Sequence, residues 1–273
     1  MRITVAVSIT CVVGYLLQSG SFDFVLLWAA LGTFLCSSGA SSLNHYQERE
    51  YDALMPRTSK RPLVVGLVSP NHALIFALVL IGLGYLILIY FTNELAASLG
   101  IFNVVLYNMI YTPLKRRSSL AVLPGAIVGA VPPVIGWAAA GGGLIELPII
   151  GLATFVFMWQ MPHFWLLALV YTDDYKAGGF PMLTGELSVA SLQMIIFIWI
   201  ALMVIFSISF PLFNITFFAY TTIVIFLLAI WIIWKISVLL RRELENNELK
   251  KLFLQTNEFV LLVLIIISVD RLI

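Results

Sequence analysis

Charge is scarce in this chain. Of its 273 residues only 11% are Asp, Glu, Lys or Arg, against about a quarter in ordinary soluble domains. A soluble globule of this size could not cover its surface with so few charges. That excludes a water-soluble enzyme, a disordered protein and a nucleic-acid binder. Net charge is +1, so bulk charge points to no partner. Cysteine is nearly absent. Cys11 and Cys36 both lie in apolar stretches and read as small buried hydrophobes. No Cys/His spacing suggests a metal site. Short segments of alternating polarity are also lacking, which argues against a transmembrane barrel.

What is present is apolar: 61% of the residues, in long and nearly unbroken runs. A span needs ~20 apolar residues to cross ~30 Å of hydrocarbon. Nine candidates meet or approach that length: 3–19, 22–44, 71–91, 95–113, 119–140, 147–171, 190–211, 216–239 and 253–270. Gln255, Asn257 and Glu258 leave the start of the last one least defined. Lipid leaves no backbone group unpaired, so the spans are expected to be helices. The sequence predicts an all-α polytopic membrane protein, a bundle of about nine helices around a central cavity open to the cytoplasmic side. It reads as one domain over 1–273. Arg2 and the apolar run after it resemble a signal peptide. However, Gly14 and Gln18 lead straight into another apolar span and no cleavage motif stands out, so the run reads as the first membrane segment. No Arg/Ser-rich transit peptide is visible.

The few charges are sorted. With the N-terminus inside, the inner segments hold Arg2, Arg49, Arg57, Lys60, Arg61, Lys115, Arg116, Arg117, Lys176, Arg241, Arg242, Lys250 and Lys251, thirteen of the fifteen basic residues. Lys235 lies near the inner end of the eighth span and can snorkel there. Only Arg271 falls outside. Outer loops carry Asp23, Glu94, Glu146 and Asp270. The positive-inside rule therefore orients the chain, N-terminus cytoplasmic and C-terminus on the outer side, and supports the parity of the count. Outer turns are short, while the inner loops after the second and sixth spans are long and polar, so function is expected on the inner side.

Three polar constellations stand out there. In the first, Asn44, Glu48 and Asp52 recur every four residues. Each step drifts only ~40° around a helix and rises ~6 Å, so three oxygen-bearing side chains line one face at the inner mouth of the second helix. Such ligands suit Mg²⁺, which is held by one or two carboxylates plus substrate phosphates. Arg57 and Arg61 follow, again four apart, with Lys60 beside them; guanidinium groups suit bidentate phosphate recognition. Arg49, Glu50 and His45 fall off the face and read as solvated or structural.

The second constellation closes the sixth span. Asp173 and Asp174 sit at its inner mouth, where a second acidic cluster could hold another Mg²⁺ on the same diphosphate. Adjacent acids do not share a helix face, so one of them is expected only to orient the other. His163 lies ten residues earlier, ~15 Å deeper by helical rise. A titratable residue at that depth reads as functional. Pro162 beside it loosens the helix and could widen a cavity. In the third constellation, Asn103, Tyr107 and Tyr111 share a face above Lys115, Arg116 and Arg117, charges that are either topogenic or chemical. Gly125, Gly129, Pro132, Pro133 and Gly136 in the fifth span read as close packing and a kink.

Taken together, the residues describe a bipartite site. A charged mouth would hold Mg²⁺ and a diphosphate, and a greasy cavity with one deep His would lie between the helices. An isoprenyl diphosphate has both a charged head and an apolar tail. Ionising it gives a carbocation, with metal and cations neutralising the leaving group and the membrane keeping water away.

The motifs carry a resemblance. They are Asn44…Glu48-Arg…Asp52-Ala-Leu-Met-x-Arg57-Thr…Arg61-Pro-Leu, Tyr111-Thr-x-Leu-Lys115-Arg116, Pro132-Pro133-x-x-Gly136-Trp137, Trp159-Gln-x-Pro162-His163-Phe164-Trp165 and Asp173-Asp174-Tyr-x-Ala-Gly178. In this order, over about two-thirds of the chain, the sequence resembles the UbiA-type intramembrane prenyltransferases. Within them it is most similar to the protoheme IX farnesyltransferase (heme O synthase) branch. The resemblance implies a bacterial inner-membrane enzyme, Mg²⁺ as cofactor, and farnesyl diphosphate and heme b as substrates. A farnesyl group would join a heme vinyl group, with water completing a hydroxyethylfarnesyl substituent. Asn44, Glu48, Asp52, Asp173 and Asp174 would then bind Mg²⁺ and diphosphate. Arg57, Lys60, Arg61, Lys115 and Arg116 would clamp diphosphate or heme propionates, with Tyr107 and Tyr111 beside them. His163 would face heme, either ligating iron or orienting the porphyrin. A heme A synthase and a terminal oxidase are implied downstream.

The chain departs from the superfamily pattern in places. Tyr171 stands where the second motif often has its first Asp, which implies a weaker or differently built second metal site. Glu48 stands where Asp is common, and the first helix begins almost at once. The rival readings are a sister enzyme acting on an aromatic quinone precursor, against which the His163 block argues, and a transporter. A transporter would need ionisable groups along several helices, whereas here only His163 is clearly deep.

Overall fold

The computed structural model describes residues 2–273. Met1 lies outside the described residues, as does the side chain of Arg2, so the first expected inner charge cannot be placed. The helices are α1 (Arg2–Ser19), α2 (Phe24–Leu54), α3 (Pro70–Phe91), α4 (Glu94–Val105), α5 (Thr112–Leu114), α6 (Val122–Ala139), α7 (Leu147–Val170), α8 (Thr172–Ala177), α9 (Val189–Ile208), α10 (Ala219–Ile236) and α11 (Asn246–Leu272). A π-helical turn, Leu106–Tyr111, joins α4 to α5, and short 3₁₀ turns flank α6, α9 and α10. No strand occurs among the described residues. Eight helical segments are long and apolar enough to cross a membrane, and Thr4–Ser19 adds a shorter apolar one. Together they match the nine predicted spans in place. The chain is thus a multi-pass membrane protein.

Two boundaries move. The span expected to end at residue 44 continues as helix to Leu54, so the polar stripe is three further turns of α2 and not a loop. The last span begins at Asn246, seven residues early, on a capping box in which Glu245 and Glu248 exchange hydrogen bonds with each other's backbone. Such a cap satisfies orphan N–H groups in polar surroundings. Elsewhere the starts follow from side-chain caps: Asp23 accepts from the Leu26 N–H at 3.0 Å, Asn93 from Ala96 at 2.9 Å and Ser188 from Ser191 at 3.1 Å.

Antiparallel succession sorts the connections to two ends. At one end Asn93 Nδ2 donates to the Ala138 carbonyl at 2.6 Å. There too Asp270 of α11 accepts from the Phe217 N–H at 2.7 Å, and also from the Thr221 hydroxyl. At the other end Asn246 Nδ2 donates to the Val170 carbonyl at 2.9 Å, and the Ser119 hydroxyl donates to Glu186 at 2.9 Å. The second end holds the long polar loops 55–69 and 171–188.

The core divides into two packed groups. The larger lies among α7, α9, α10 and α11, around Leu152, Phe155, Ile196, Ile232 and Phe259. The smaller joins α1, α2, α4 and α6 around Cys11, Leu26 and Ile135. With lipid on the outside, helices associate through close packing, which small residues permit. The α1–α6 crossing shows this. A Cβ on Gly14 would collide with the Pro133 carbonyl, and one on Gly136 with the Cys11 carbonyl. Cys11 and Cys36 are buried free thiols, as their apolar context predicted. Both α6 and α7 run as continuous helices through their internal prolines, Pro132, Pro133 and Pro162.

Candidate functional site

The stripe on α2 faces inward. Asn44, Glu48 and Asp52 are 5%, 3% and 2% exposed, although each carries a polar or charged side chain. Burial of that kind requires partners, and every one of the three has one from another segment. Asn44 Nδ2 donates to the Thr112 hydroxyl at 3.1 Å. Glu48 Oε2 lies 2.7 Å from Lys115 Nζ, and its Oε1 lies 3.8 Å from Arg116 Nε. Asp52 Oδ2 lies 2.5 Å from an Arg61 guanidinium nitrogen. The predicted first and third constellations therefore meet at one mouth.

The π-helical turn sets how they meet. It places Asn108, 1% exposed, against α2, where its Nδ2 donates to the Ala40 carbonyl at 2.9 Å and to Gln47 Oε1 at 3.1 Å. Thr112 donates back to the Tyr107 carbonyl at 2.9 Å while accepting from Asn44. A π-turn widens the helix and commonly marks a functional site. Here it shifts the register by part of a turn. Asn108, which the sequence reading did not single out, thus joins the α2 contacts, while the side-chain oxygen of Asn103, one turn earlier, is buried without a hydrogen-bond partner. Tyr107 and Tyr111 remain neighbours, stacked at 5.6 Å.

Lys115 sits in an aromatic and acidic cage. Its ammonium lies 5.4 Å from the Tyr111 ring centre and 5.9 Å from that of Phe180. Burial pushes its pKa below the ordinary lysine range, and the Glu48 carboxylate opposes that shift without overcoming it. Arg116 lies 4.7 Å from the Tyr51 ring centre and donates to the Gln47 carbonyl at 2.6 Å. Phe180 in turn packs on Tyr51 at 5.5 Å and Tyr175 at 5.9 Å. Burial also drives the Tyr175 hydroxyl to a higher pKa, with Arg57 pulling it back.

The second acidic pair is divided, as adjacency on a helix predicted. Asp174 Oδ1 accepts the Arg57 backbone N–H at 3.0 Å, tying loop 171–188 to loop 55–69. Asp173 is exposed. The Arg57 guanidinium lies 5.0 Å from the Tyr171 ring centre. Lys60 is exposed and enters no ion pair among the described residues. Helical rise from the sequence places His163 ~15 Å below Asp173 along one continuous helix, but the helix breaks at Tyr171, where φ is −114° and ψ is 33°. Asp173 and Asp174 belong to the separate α8.

His163 is reached from the mouth through rings. Tyr111 lies 5.9 Å from Phe164, and Phe164 lies 5.8 Å from His163. The α6 backbone makes room for them: a Cβ on Gly125 would meet the Tyr111 ring at 2.8 Å and Phe164 at 3.1 Å. A cavity of about 80 Å³ lies along this route, lined by Lys115, Tyr111, Phe164, Trp165 and Phe180 among others. On the far side of His163, Asn257 of α11 makes a contact that the sequence reading passed over. Its only signal was a polar residue inside an apolar span.

Can these residues accept a divalent cation? Glu48 Oε1 is a buried carboxylate oxygen without a hydrogen-bond partner. Asn44 and Asp52 lie one turn to either side of it on the same face. An all-oxygen set around an unsatisfied anionic atom fits a hard cation such as Mg²⁺. Among the described residues no three His, Cys, Asp or Glu side chains converge as a metal-holding group. The fit thus rests on a small set of protein oxygens, which is how Mg²⁺ is held when substrate phosphates complete the shell.

The chain is 42% identical over 185 residues to protoheme IX farnesyltransferase 1 of Pseudomonas fluorescens, a match covering 67% of this chain and 62% of that relative. This chain therefore spans somewhat under two-thirds of the relative's length. A solved structure described as digeranylgeranylglyceryl phosphate synthase superposes with a TM-score of 0.80 at 19% identity, covering 99% of this chain and 95% of that one. A UbiA homologue from Archaeoglobus fulgidus, solved with GPP and Mg²⁺ bound, superposes with a TM-score of 0.65 at 16% identity, covering 97% and 96%. These two likenesses concern the fold. The model of the UbiA prenyltransferase family matches residues 7–257, a stretch that holds the whole charged mouth and the ring path to His163, and by it the chain belongs to the UbiA prenyltransferase family.

Proposed function

We propose that this protein transfers the farnesyl group of farnesyl diphosphate to a vinyl group of protoheme IX, with addition of water, to give heme O. One observation supports this reading above the others: a charged mouth joined to a deep histidine by an unbroken series of aromatic rings, Tyr111, Phe164 and His163. A substrate with an anionic head and an apolar tail fits the first part. A flat apolar acceptor carrying a metal fits the second. The relatives named for this reaction agree with the choice of acceptor.

In this reading Asn44, Glu48, Asp52, Asp173 and Asp174 hold Mg²⁺ and the diphosphate. Bound there, Mg²⁺ would neutralise charge developing on the leaving group. The chain's own cations share that task. Arg61, Lys115 and Arg116 already lie on the buried acids, and Arg57 and Lys60 border the mouth; all five can turn their donors to diphosphate oxygens. Charge stabilisation of this sort is strongest where water is excluded. As the allylic C–O bond breaks, diphosphate leaves and the farnesyl cation faces the rings of Tyr107, Tyr111 and Phe164, whose π faces stabilise positive charge. The heme vinyl carbon attacks that cation. Water then adds to the adjacent carbon and releases a proton. The membrane interior keeps water from the first cation.

The site lies at the end of the bundle that holds most of the basic residues. We place that end, the cavity mouth and the N-terminus on the cytoplasmic side of a bacterial inner membrane, by the positive-inside rule. The whole chain acts as one prenyltransferase domain, whose product would pass to an enzyme such as heme A synthase.

The test is product formation. Membranes holding the protein are incubated with Mg²⁺ and farnesyl diphosphate, and with either heme b or 4-hydroxybenzoate. Mass spectrometry should find a farnesylated, hydrated heme. A product from 4-hydroxybenzoate alone would overturn the heme assignment in favour of an aromatic acceptor. Uptake of substrate with no Mg²⁺-dependent pyrophosphate release would favour a transporter.

A further inference from the structure

Asn257 is a polar residue in the apolar part of α11, and its side chain is turned to α7. Its Oδ1 accepts a hydrogen bond from Trp159 Nε1 at 3.0 Å and lies 3.1 Å from His163 Nδ1. Indole nitrogen can only donate. The carboxamide atom facing both rings is therefore the oxygen, and an oxygen can only accept. His163 must then carry a proton on Nδ1. In a neutral imidazole that leaves Nε2 with the free lone pair. No hydrogen bond engages Nε2 among the described residues. The ring plane is held as well: Trp159 packs edge-on at 5.3 Å, Phe164 at 5.8 Å, and Phe253 lies at 4.8 Å.

This is the arrangement of a metal-binding histidine. Such residues almost always give their second N–H to a carbonyl or carboxylate, which sets tautomer and orientation. Resting on the heme reading above, we infer that Asn257 is a positioning residue. Its oxygen holds His163 as the Nδ1–H tautomer, so that Nε2 is presented to the iron of the porphyrin substrate. Trp159 keeps the carboxamide from turning over. The choice of an amide over a carboxylate also has a consequence. A carboxylate would make the imidazole more basic and bind iron more tightly. An amide leaves a neutral, weaker ligand, which suits a porphyrin that must be released after each turnover.

The experiment is a heme titration of the full chain in detergent, followed by absorption spectroscopy and by the iron reduction potential. The wild type is compared with H163A, N257L and N257D. Farnesyl diphosphate-induced thermal stabilisation serves as the check that each variant is folded. The wild type should show a His163-dependent Soret band that H163A lacks. N257L should bind heme about tenfold more weakly, in the range expected for loss of an outer-shell partner, with a broadened band. N257D should recover the affinity and move the potential to a more negative value. A wild type with no His163-dependent band overturns both the heme reading and this inference. A band and affinity unaltered in N257L overturn the inference alone, and so does an unshifted potential in N257D should N257L not fold.

Discussion

The Lys115 ammonium lies 2.7 Å from the Glu48 carboxylate, and this contact joins the C-terminal end of α5 to the inner face of α2. Glu48 is almost wholly buried while the Lys115 side chain is 22% exposed. The lysine is thus the member of the pair that a ligand can reach. A diphosphate competing for Lys115 would leave Glu48 seeking another cation, which links occupation of the anion site to occupation of the metal site.

Removing the lysine without its partner should be costly. K115M strands a buried carboxylate beside Arg116 alone, and loss of one member of such a pair costs about 3 kcal/mol. Thermal unfolding in detergent should show the drop. The double variant E48Q/K115M should recover much of it, and a double variant as unstable as the single one would dismiss the pairing as a stability element.

The lysine also makes binding sensitive to alkali. Its pKa is depressed by burial, so it loses its proton at a lower pH than an ordinary lysine, which titrates near ~10.4. In the proposed site, diphosphate would need the protonated form. Affinity should therefore hold at neutral pH and fall as pH rises through the depressed pKa, before free lysines titrate. K115R should move that fall to higher pH, because guanidinium keeps its charge. Inorganic pyrophosphate binding by calorimetry across the alkaline range measures it, and identical profiles would count against Lys115 as the titrating group.

Asp52 tests the metal assignment. D52A should insert and fold in the membrane yet lose turnover by about 100-fold or more, the scale of losing one charge-stabilising group in a buried site. Pyrophosphate release over a range of Mg²⁺ gives the readout. Full activity at ordinary Mg²⁺ would remove Asp52 from the metal site.

His163 separates the two halves of the site. H163A should lose heme binding while retaining affinity for farnesyl diphosphate, because its ring lies on the far side of Phe164 from Lys115. Parallel titrations with each substrate decide this, and equal losses of both would mean that the histidine supports the whole cavity.

The helix crossing of α1 and α6 makes a structural prediction. At Gly14 an added methyl meets backbone, which cannot rotate away. G14A should destabilise by about 1–3 kcal/mol, the usual cost of overpacking. G66A, where an added Cβ has open space but φ is +78°, should cost less, with strain of the backbone as its source.

How much of this was legible in the sequence depended on the range of each interaction. The α2 stripe could be read because Asn44, Glu48 and Asp52 lie within one helix, and helix geometry converts a spacing of four into a shared face. Charge sorting grouped the inner loops because the basic residues cluster on alternate connections along the chain. The partners of the stripe were harder. Lys115 and Arg116 stood out by charge alone, and nothing local distinguished Glu48 from Asp52 as the match for Lys115. Asn108 was hidden because a lone amide inside an apolar span shows its partners, the Ala40 carbonyl and Gln47, only once the π-turn packs on α2. Asn257 was hidden for another reason. It sits near the expected start of the last span, where a polar residue is ordinary, and its meaning appears only when α11 packs on α7.

The middle and the end of α11 have different duties. Near its middle Asn257 holds His163, while thirteen residues further on Asp270 caps the start of α10 through Phe217 and Thr221. That distance is about 20 Å of helix. Arg271 reaches across to the Gln18 carbonyl of α1 at 3.4 Å. The last turn of α11 is accordingly a clamp on α1 and α10. Replacing Asp270 and Arg271 together would open the clamp without touching the charged mouth, and its first symptom should be looser packing of α1, α10 and α11, not loss of the protein from the membrane.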